Sequence, residues 1–361
     1  MKAGLLQGAV ALTLWAGSAM AQPALPPALP QVRILGTGGT IAGRENAAGT
    51  SYRSGAVPIG QLIGALPGVE TIATLSAEQI ANIPSGNMDE TIWRTLLART
   101  QAALGDDAVS GVVITHGTDT LEETAYFLSL LLPAAKPVVL VGSMRPSTAV
   151  SADGPQNMMD AVRVAAAPAA TGRGVMVVMN DSIFDALAVT KIDVRRVDAF
   201  GAPARGPIGD VLQPVPRFTI GAAPAPAPFT LGDAPLPKVA IVYAYAGLTG
   251  ADVLRSAEGA RGVVIAGVGA GGFSASARDA VRDLVRRGVA VVRTPRQGFG
   301  DIWPGDPPAA GASDPEDSVR TIAGRELTPA KARILLMLAL QQARPIEQLQ
   351  AIFNSYGTSR R

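Results

Sequence analysis

Two short loops hold the residues whose types and spacing could do chemistry. The first is Gly36-Thr37-Gly38-Gly39-Thr40-Ile41-Ala42-Gly43, and the second is Thr115-His116-Gly117-Thr118-Asp119-Thr120-Leu121-Glu122-Glu123. Each follows an aliphatic run, Val32 to Leu35 or Val112 to Ile114, so each sets a threonine hydroxyl at the carboxyl end of a strand. Open α/β sheets receive their ligands at that end. Thr118-Asp119 also puts a carboxylate next to a hydroxyl, which suits an ammonium group on a substrate.

Each loop also has a plainer reading. Glycines at 38 and 39 let the chain turn and a ligand approach, but an isolated Gly-Gly-Thr equally reads as a helix start with Thr40 as its N-cap. His116 reads as a packed, hydrogen-bonded ring before it reads as a general base. With histidine set aside, a lysine kept neutral by burial is the remaining candidate base for a hydroxyl. Lys191, between Ala188-Val189-Thr190 and Ile192, is such a candidate, and it reads equally as a surface lysine. Gly36-x-Gly38 lacks the third glycine of a dinucleotide fingerprint, since position 41 is Ile. Gly267-Val268-Gly269-Ala270-Gly271-Gly272 has the glycines but no acidic residue about 20 positions on, and reads as a tight strand-to-helix turn. Together the two threonine loops point to an amidohydrolase with a threonine nucleophile.

Composition removes the competing chemistries. The 361 residues include no cysteine and one histidine, which excludes thiolate nucleophiles, disulfides and multi-imidazole metal sites. Neither metal nor cofactor is expected. Lys+Arg number 31 against Asp+Glu 29, a formal charge of +2 that gives no field for nucleic acid. Hydrophobic residues make up 48% and charged residues 17%, enough apolar surface for a large core.

The elements that must position these loops alternate along the chain. Residues 1–21 read as a signal peptide: Lys2, the apolar stretch Leu5 to Ala16, and a small-x-small site at Ala19-Met20-Ala21. That stretch is too short for a membrane anchor, no membrane partner is expected, and the product would be periplasmic or secreted. Strands are expected at Val32–Leu35, Val112–Thr115, Val138–Val141, Val175–Met179, Val239–Tyr243, Val263–Ala266 and Val289–Arg293. Helices are expected at Met88–Ala103, Leu121–Leu131, Asn157–Ala167, Ala277–Arg287 and Pro329–Gln342. The alternation gives an α/β fold: a large, mostly parallel N-terminal domain over 31–213, a Pro- and Ala-rich linker over 214–237, and a smaller C-terminal α/β domain over 238–361.

Six motifs in order resemble the bacterial L-asparaginase family, in its exported type II branch. They are Gly38–Gly43, Thr115–Thr120, Val141-Gly142-Ser143-Met144-Arg145-Pro146-Ser147, Ser151-Ala152-Asp153-Gly154-Pro155, Val189-Thr190-Lys191 and Ala266-Gly267-Val268-Gly269, and the likeness runs from about Val32 to Tyr356. The resemblance implies an asparaginase-like fold. It also implies Thr40 as nucleophile, Tyr52 as the loop tyrosine bonded to it, and neutral Lys191 as the group that draws the proton from Thr118. Asp119 would grip the α-amino group, Ser85 the α-carboxylate, and the carbonyl of Ser143 the leaving amide nitrogen.

Three departures stand out. Gly86, in the substrate-binding turn, replaces a Gln or Glu that the family often has. Ala244 and Gly247 replace asparagines that in relatives reach a neighbouring subunit. The acidic residue that some relatives supply from a later loop matches Asp314, Glu316 or Asp317 without a choice among them. The implied activity is hydrolysis of L-asparagine by a homotetramer. The alternatives are a glutaminase-asparaginase that also takes L-glutamine and, from another class, a periplasmic amino-acid-binding protein, which would not need Thr40, Thr118 and Lys191 together.

Overall fold

The computed structural model describes residues 28–46, 51–223, 226–305, 320–342 and 345–358. The expected leader at 1–21 and the acidic candidates Asp314, Glu316 and Asp317 lie outside the described residues.

Strand β1 (Gln31–Gly38) opens the fold, with Val32, Ile34 and Leu35 fully buried. A 3-10 turn at Thr40–Ala42, the antiparallel pair β2 (Arg44–Glu45) and β3 (Tyr52–Arg53), and helix α1 (Ile59–Gly64) lead to β4 (Thr74–Ile83). Next come α2 (Glu90–Gly105), β5 (Val109–Thr115), α3 (Leu121–Leu131), β6 (Val138–Val141), α4 (Gly154–Ala166), β7 (Val175–Met179) and β8 (Ser182–Asp185). The region closes with a short ladder of β9 (Thr190–Lys191) and β10 (Phe200–Gly201), followed by β11 (Gly209–Asp210) and β12 (Arg217–Phe218). The second region contains β13 (Val239–Tyr243), α5 (Gly250–Ser256), β14 (Gly262–Gly267), α6 (Ala275–Arg286), β15 (Ala290–Pro295), β16 (Ile322–Ala323), α7 (Pro329–Gln341) and α8 (Ile346–Tyr356).

The large sheet has the order β12-β11-β8-β7-β6-β5-β1-β4, parallel from β4 to β7 and antiparallel beyond. The four strands β13-β14-β15-β16 form a second, wholly parallel sheet. Leaving β1, the chain moves outward to β4; leaving β5, it moves the other way to β6. The topological switch point therefore lies between β1 and β5, where Gly36 stands opposite Thr115, and a crevice opens at their carboxyl ends.

Helix starts follow the capping chemistry of the sequence. The Asp89 carboxylate accepts from Ile92 N at 2.9 Å and starts α2, while Ser274 and Thr328 cap α6 and α7. One face of the large sheet packs on α1 and α4. Its other face, α2, α3, α7, α8 and one face of the small sheet share a single apolar core. The far face of the small sheet buries against α5 and α6.

Segment 214–237 opens with β12 in the large sheet, and its Phe229 is buried in the shared core with the ring tilted on Tyr356. Arg94 of α2 donates to the carbonyls of Gly232 and Ala234, both at 2.8 Å. Strand β4, helices α1, α5 and α8 and the short strands β2, β3, β8 to β12 and β16 were not among the expected elements. β4 is an edge strand with no fully buried position, so Glu78 and Gln79 interrupt the alternation that marks half-buried strands.

Candidate active site

Neighbouring parallel strands deliver the candidate residues side by side. Ser143 follows β6, Thr118 and Asp119 follow β5, Thr40 follows β1 and Ser85 follows β4, which is the spatial order of those strands. The middle two loops meet at glycines. Gly39 has φ +80°, and a methyl built on it would lie 2.4 Å from Gly117 Cα, so only bare backbone fits between Thr40 and Thr118. A methyl on Gly117 would likewise lie 2.8 Å from Ser85 Oγ.

Thr40 is not an N-cap. Gly39 holds that position without a side-chain bond, and Thr40 is the first, buried residue of the 3-10 turn. Its Oγ1 lies 3.0 Å from the hydroxyl of Tyr52, either group able to donate. Gly55 N to Gly39 O at 3.1 Å and Val57 N to Ala42 O at 2.9 Å tie the Tyr52 segment to the Thr40 loop.

Across the Gly39–Gly117 contact, Lys191 Nζ donates to Thr118 Oγ1 at 2.9 Å and to Asp119 Oδ1 at 2.6 Å. Thr118 is buried and Lys191 largely so, whereas the Asp119 side chain is 74% exposed and can meet an incoming ligand. Lys191 is therefore not the free surface lysine of the plainer reading, and a carboxylate faces it. Ser85 Oγ accepts from Asp119 N at 3.2 Å, and Ser85 O accepts from Thr120 Oγ1 at 2.8 Å. Gly86 is exposed and makes no side-chain contact, with nothing within 4 Å of a Cβ built there. Ser143 is fully buried, and its Oγ donates to Arg145 O at 2.7 Å.

His116 is the packed ring. Gly117 O can only accept, so Nδ1, 2.7 Å away, carries the proton and Nε2 accepts from Thr124 Oγ1 at 2.9 Å. Trp93 Nε1 completes the chain by donating to Thr124 at 2.9 Å. Burial lowers the His116 pKa to about 4, partly offset by the Gly117 carbonyl, so the ring is neutral near pH 7.

Four supporting residues, Asp153, Asn157, Glu122 and Lys331, had no role assigned from the sequence. The Asp153 carboxylate accepts from Met144 N and Arg145 N, both at 2.9 Å, and buried Asn157 donates to Gly142 O at 3.1 Å, which fixes the turn around Ser143. Glu122 Oε2 accepts from Lys191 N at 2.7 Å. Lys331 Nζ donates to Leu187 O at 2.8 Å and to Val189 O. The place of Glu122 at the end of the second loop, where α3 begins, was the available signal for it; for Lys331 there was none. Among the described residues no three carboxylate or imidazole side chains gather as a metal-ligand set.

Fold and site together define an α/β enzyme that presents hydroxyl groups, a lysine and a carboxylate at a sheet switch point. The family model for Asparaginase, N-terminal, matches residues 31–219, and that for Glutaminase/Asparaginase C-terminal domain matches 238–353. L-asparaginase 2 of Bacillus subtilis is 42% identical over 335 residues, covering 91% of this chain and 87% of the relative. L-asparaginase 2 of Escherichia coli is 42% identical over 342 residues, 91% and 94% of the two chains. A protein of Haemophilus influenzae named probable periplasmic L-asparaginase is 38% identical over 340 residues, covering 91% of this chain and 93% of the relative. The crystal structure of a probable cytoplasmic L-asparaginase from Campylobacter jejuni superposes with a TM-score of 0.81 at 40% identity, covering 91% of this chain and all of that one. The chain belongs to the asparaginase family.

Proposed function

We propose that the protein is an L-asparaginase that hydrolyses the side-chain amide of L-asparagine to L-aspartate and ammonia through a covalent ester on Thr40. One observation carries the reading: Lys191 Nζ contacts Thr118 and Asp119 together, across a glycine contact from the Thr40–Tyr52 pair. A binding protein needs the carboxylate but not this arrangement of hydroxyls and lysine.

That geometry supports the following steps. Asp119 takes the substrate α-ammonium, and Ser85 holds the α-carboxylate. A ligand ammonium at Asp119 competes with Lys191 for the carboxylate and leaves Nζ directed at Thr118 Oγ1, whose proton it takes in this reading. Thr40 Oγ1, with its proton passing toward Tyr52, attacks the amide carbon. Backbone N–H groups beside Thr40 and Thr118 stabilise the oxyanion, a contribution of about 10²–10³ in rate per donor. The Thr40 proton, relayed through the Tyr52 hydroxyl, reaches the amide nitrogen as the C–N bond breaks, and the nitrogen leaves as ammonia past the Ser143 carbonyl. Water then gives a proton through Thr118 to Lys191, attacks the ester carbon and releases L-aspartate as Thr40 Oγ1 regains a proton.

Ammonia release from asparagine by the purified protein tests this directly. Activity that is abolished by Thr40→Ala with unchanged circular dichroism supports it; binding of asparagine without turnover by the unaltered protein contradicts it. Action on L-glutamine as well is the second reading, favoured by the match of 238–353 to a domain family named for both amides. One methylene in a pocket is worth about 1–3 kcal/mol, and the ratio of kcat/KM for the two amides decides.

The reading includes export through the leader at 1–21 to the periplasm or medium, and the division into 31–213, 214–237 and 238–361. It also includes a homotetramer in which the C-terminal domain of one chain closes the site of another. Sedimentation run alongside an assay tests the assembly, since an active monomer would refute it.

A further inference from the structure

Lys331 is out of place by every local rule. It sits in the first turn of α7, three residues after its cap Thr328, where a positive charge opposes the helix dipole. It is also fully buried, and an ammonium taken out of water needs strong partners to compensate. Its partners are not on its own helix. Nζ donates to the carbonyls of Leu187 and Val189, the turn that leads directly into Thr190-Lys191. The amides of that turn are held from the other side, because Asp185 Oδ1 accepts from Leu187 N at 3.0 Å and Ala188 N at 2.9 Å. Beyond it, Lys191 N donates to Glu122. The backbone leading into Lys191 is thus fixed by charged side chains: Lys331 from α7, Asp185 at the end of β8 and Glu122 from α3.

We propose that Lys331 is a positioning residue for Lys191, through which the C-terminal domain sets the geometry of the proton-transfer cluster at Thr118. The proposal rests on the reading of Lys191 as a catalytic base. Burial lowers the Lys331 pKa to about 8 against the opposing pull of Glu122, Asp185 and Glu123. Two carbonyls bond the buried ammonium directly, and Glu122 and Glu123 of α3 and Asp185 favour its charge electrostatically. Glu123 in turn faces Arg333, and burial raises its own pKa.

The test is a double-mutant cycle with Lys331→Met and Lys191→Ala, measuring kcat and KM for asparagine together with a thermal melt. Displacing a catalytic group by an ångström costs roughly 10²-fold. In the unaltered background Lys331→Met is expected to lower kcat about 10- to 100-fold with KM changed less than about 2-fold. In the Lys191→Ala background it should lower the residual kcat no further. An equal loss in both backgrounds, or no loss in a folded Lys331→Met protein, overturns the proposal. If the methionine variant does not accumulate folded, the cycle is run with Lys331→Gln, which keeps an amide donor toward the carbonyls. A loss confined to the Lys191 background then supports the proposal, and a loss in both overturns it. Full activity of Lys191→Ala alone would instead refute the reading of Lys191 as base.

Discussion

Gly39 and Gly117 meet backbone to backbone, with 2.4 Å separating Gly117 Cα from the place a Gly39 methyl would take. That contact brings the loop after β1 against the loop after β5, and with them Thr40 and the Thr118–Lys191 pair. Gly39→Ala must push the loops apart and also hold alanine at φ +80°. The expected cost is about 2–4 kcal/mol in stability, with kcat reduced roughly 100-fold. Denaturant melts and initial rates check both, and a variant with unchanged kcat would show that the two loops need not touch.

In the proposed mechanism Asp119 takes the substrate ammonium, and Asp119→Asn removes that carboxylate. A hydrogen bond to a charged group contributes about 1.5–3 kcal/mol, so KM for asparagine should rise roughly 10- to 100-fold. The preference for asparagine over its analogue without the amino group should collapse in this variant. Unaltered discrimination would place ammonium recognition on another residue.

The buried ring of His116 makes stability depend on pH in a defined window. Its folded pKa of about 4 lies below the ordinary 6.5, so between those values the unfolded chain binds the proton that the native state refuses. Stability therefore rises with pH across the window, and acidification from pH 6.5 to 4 costs about 3 kcal/mol from this group. Urea unfolding at a series of pH values should show that slope, and His116→Gln should flatten it. A slope that survives the substitution assigns the acid sensitivity elsewhere.

Open space surrounds a Cβ at Gly86, in the exposed turn after Ser85. Gly86→Gln adds the polar side chain that the family resemblance implies here and removes unfolded-state freedom, a gain of about 0.4–1 kcal/mol. KM for asparagine should fall several-fold with the melting temperature unchanged or raised. A higher KM would mean that this turn must remain bare for substrate to enter.

Much of this arrangement was legible in the sequence where local pattern and spatial position coincide. Val138–Val141, Val175–Met179 and Val239–Tyr243 are strands at those bounds because buried parallel strands appear as short aliphatic runs. The threonine loops were visible because glycines and hydroxyls cluster just past such runs. β4 was not, since an edge strand tolerates Glu78 and Gln79. The meeting of Lys191 with Thr118, 73 residues apart, depends on how β8 and β9 fold back beside α3, which no spacing encodes. Nothing in Pro-Ala-Lys-Ala-Arg sets Lys331 apart, and packing of α7 against α3 and the sheets buries it.

The central claim is that the acyl group of the substrate passes through the Thr40 side chain. Rapid acid quench during turnover of asparagine, followed by peptide mass spectrometry, tests it most directly. An aspartyl ester on the peptide containing Thr40, absent in Thr40→Ala, is the expected result. The same adduct on Thr118, or turnover at full rate by Thr40→Ala, would contradict the account.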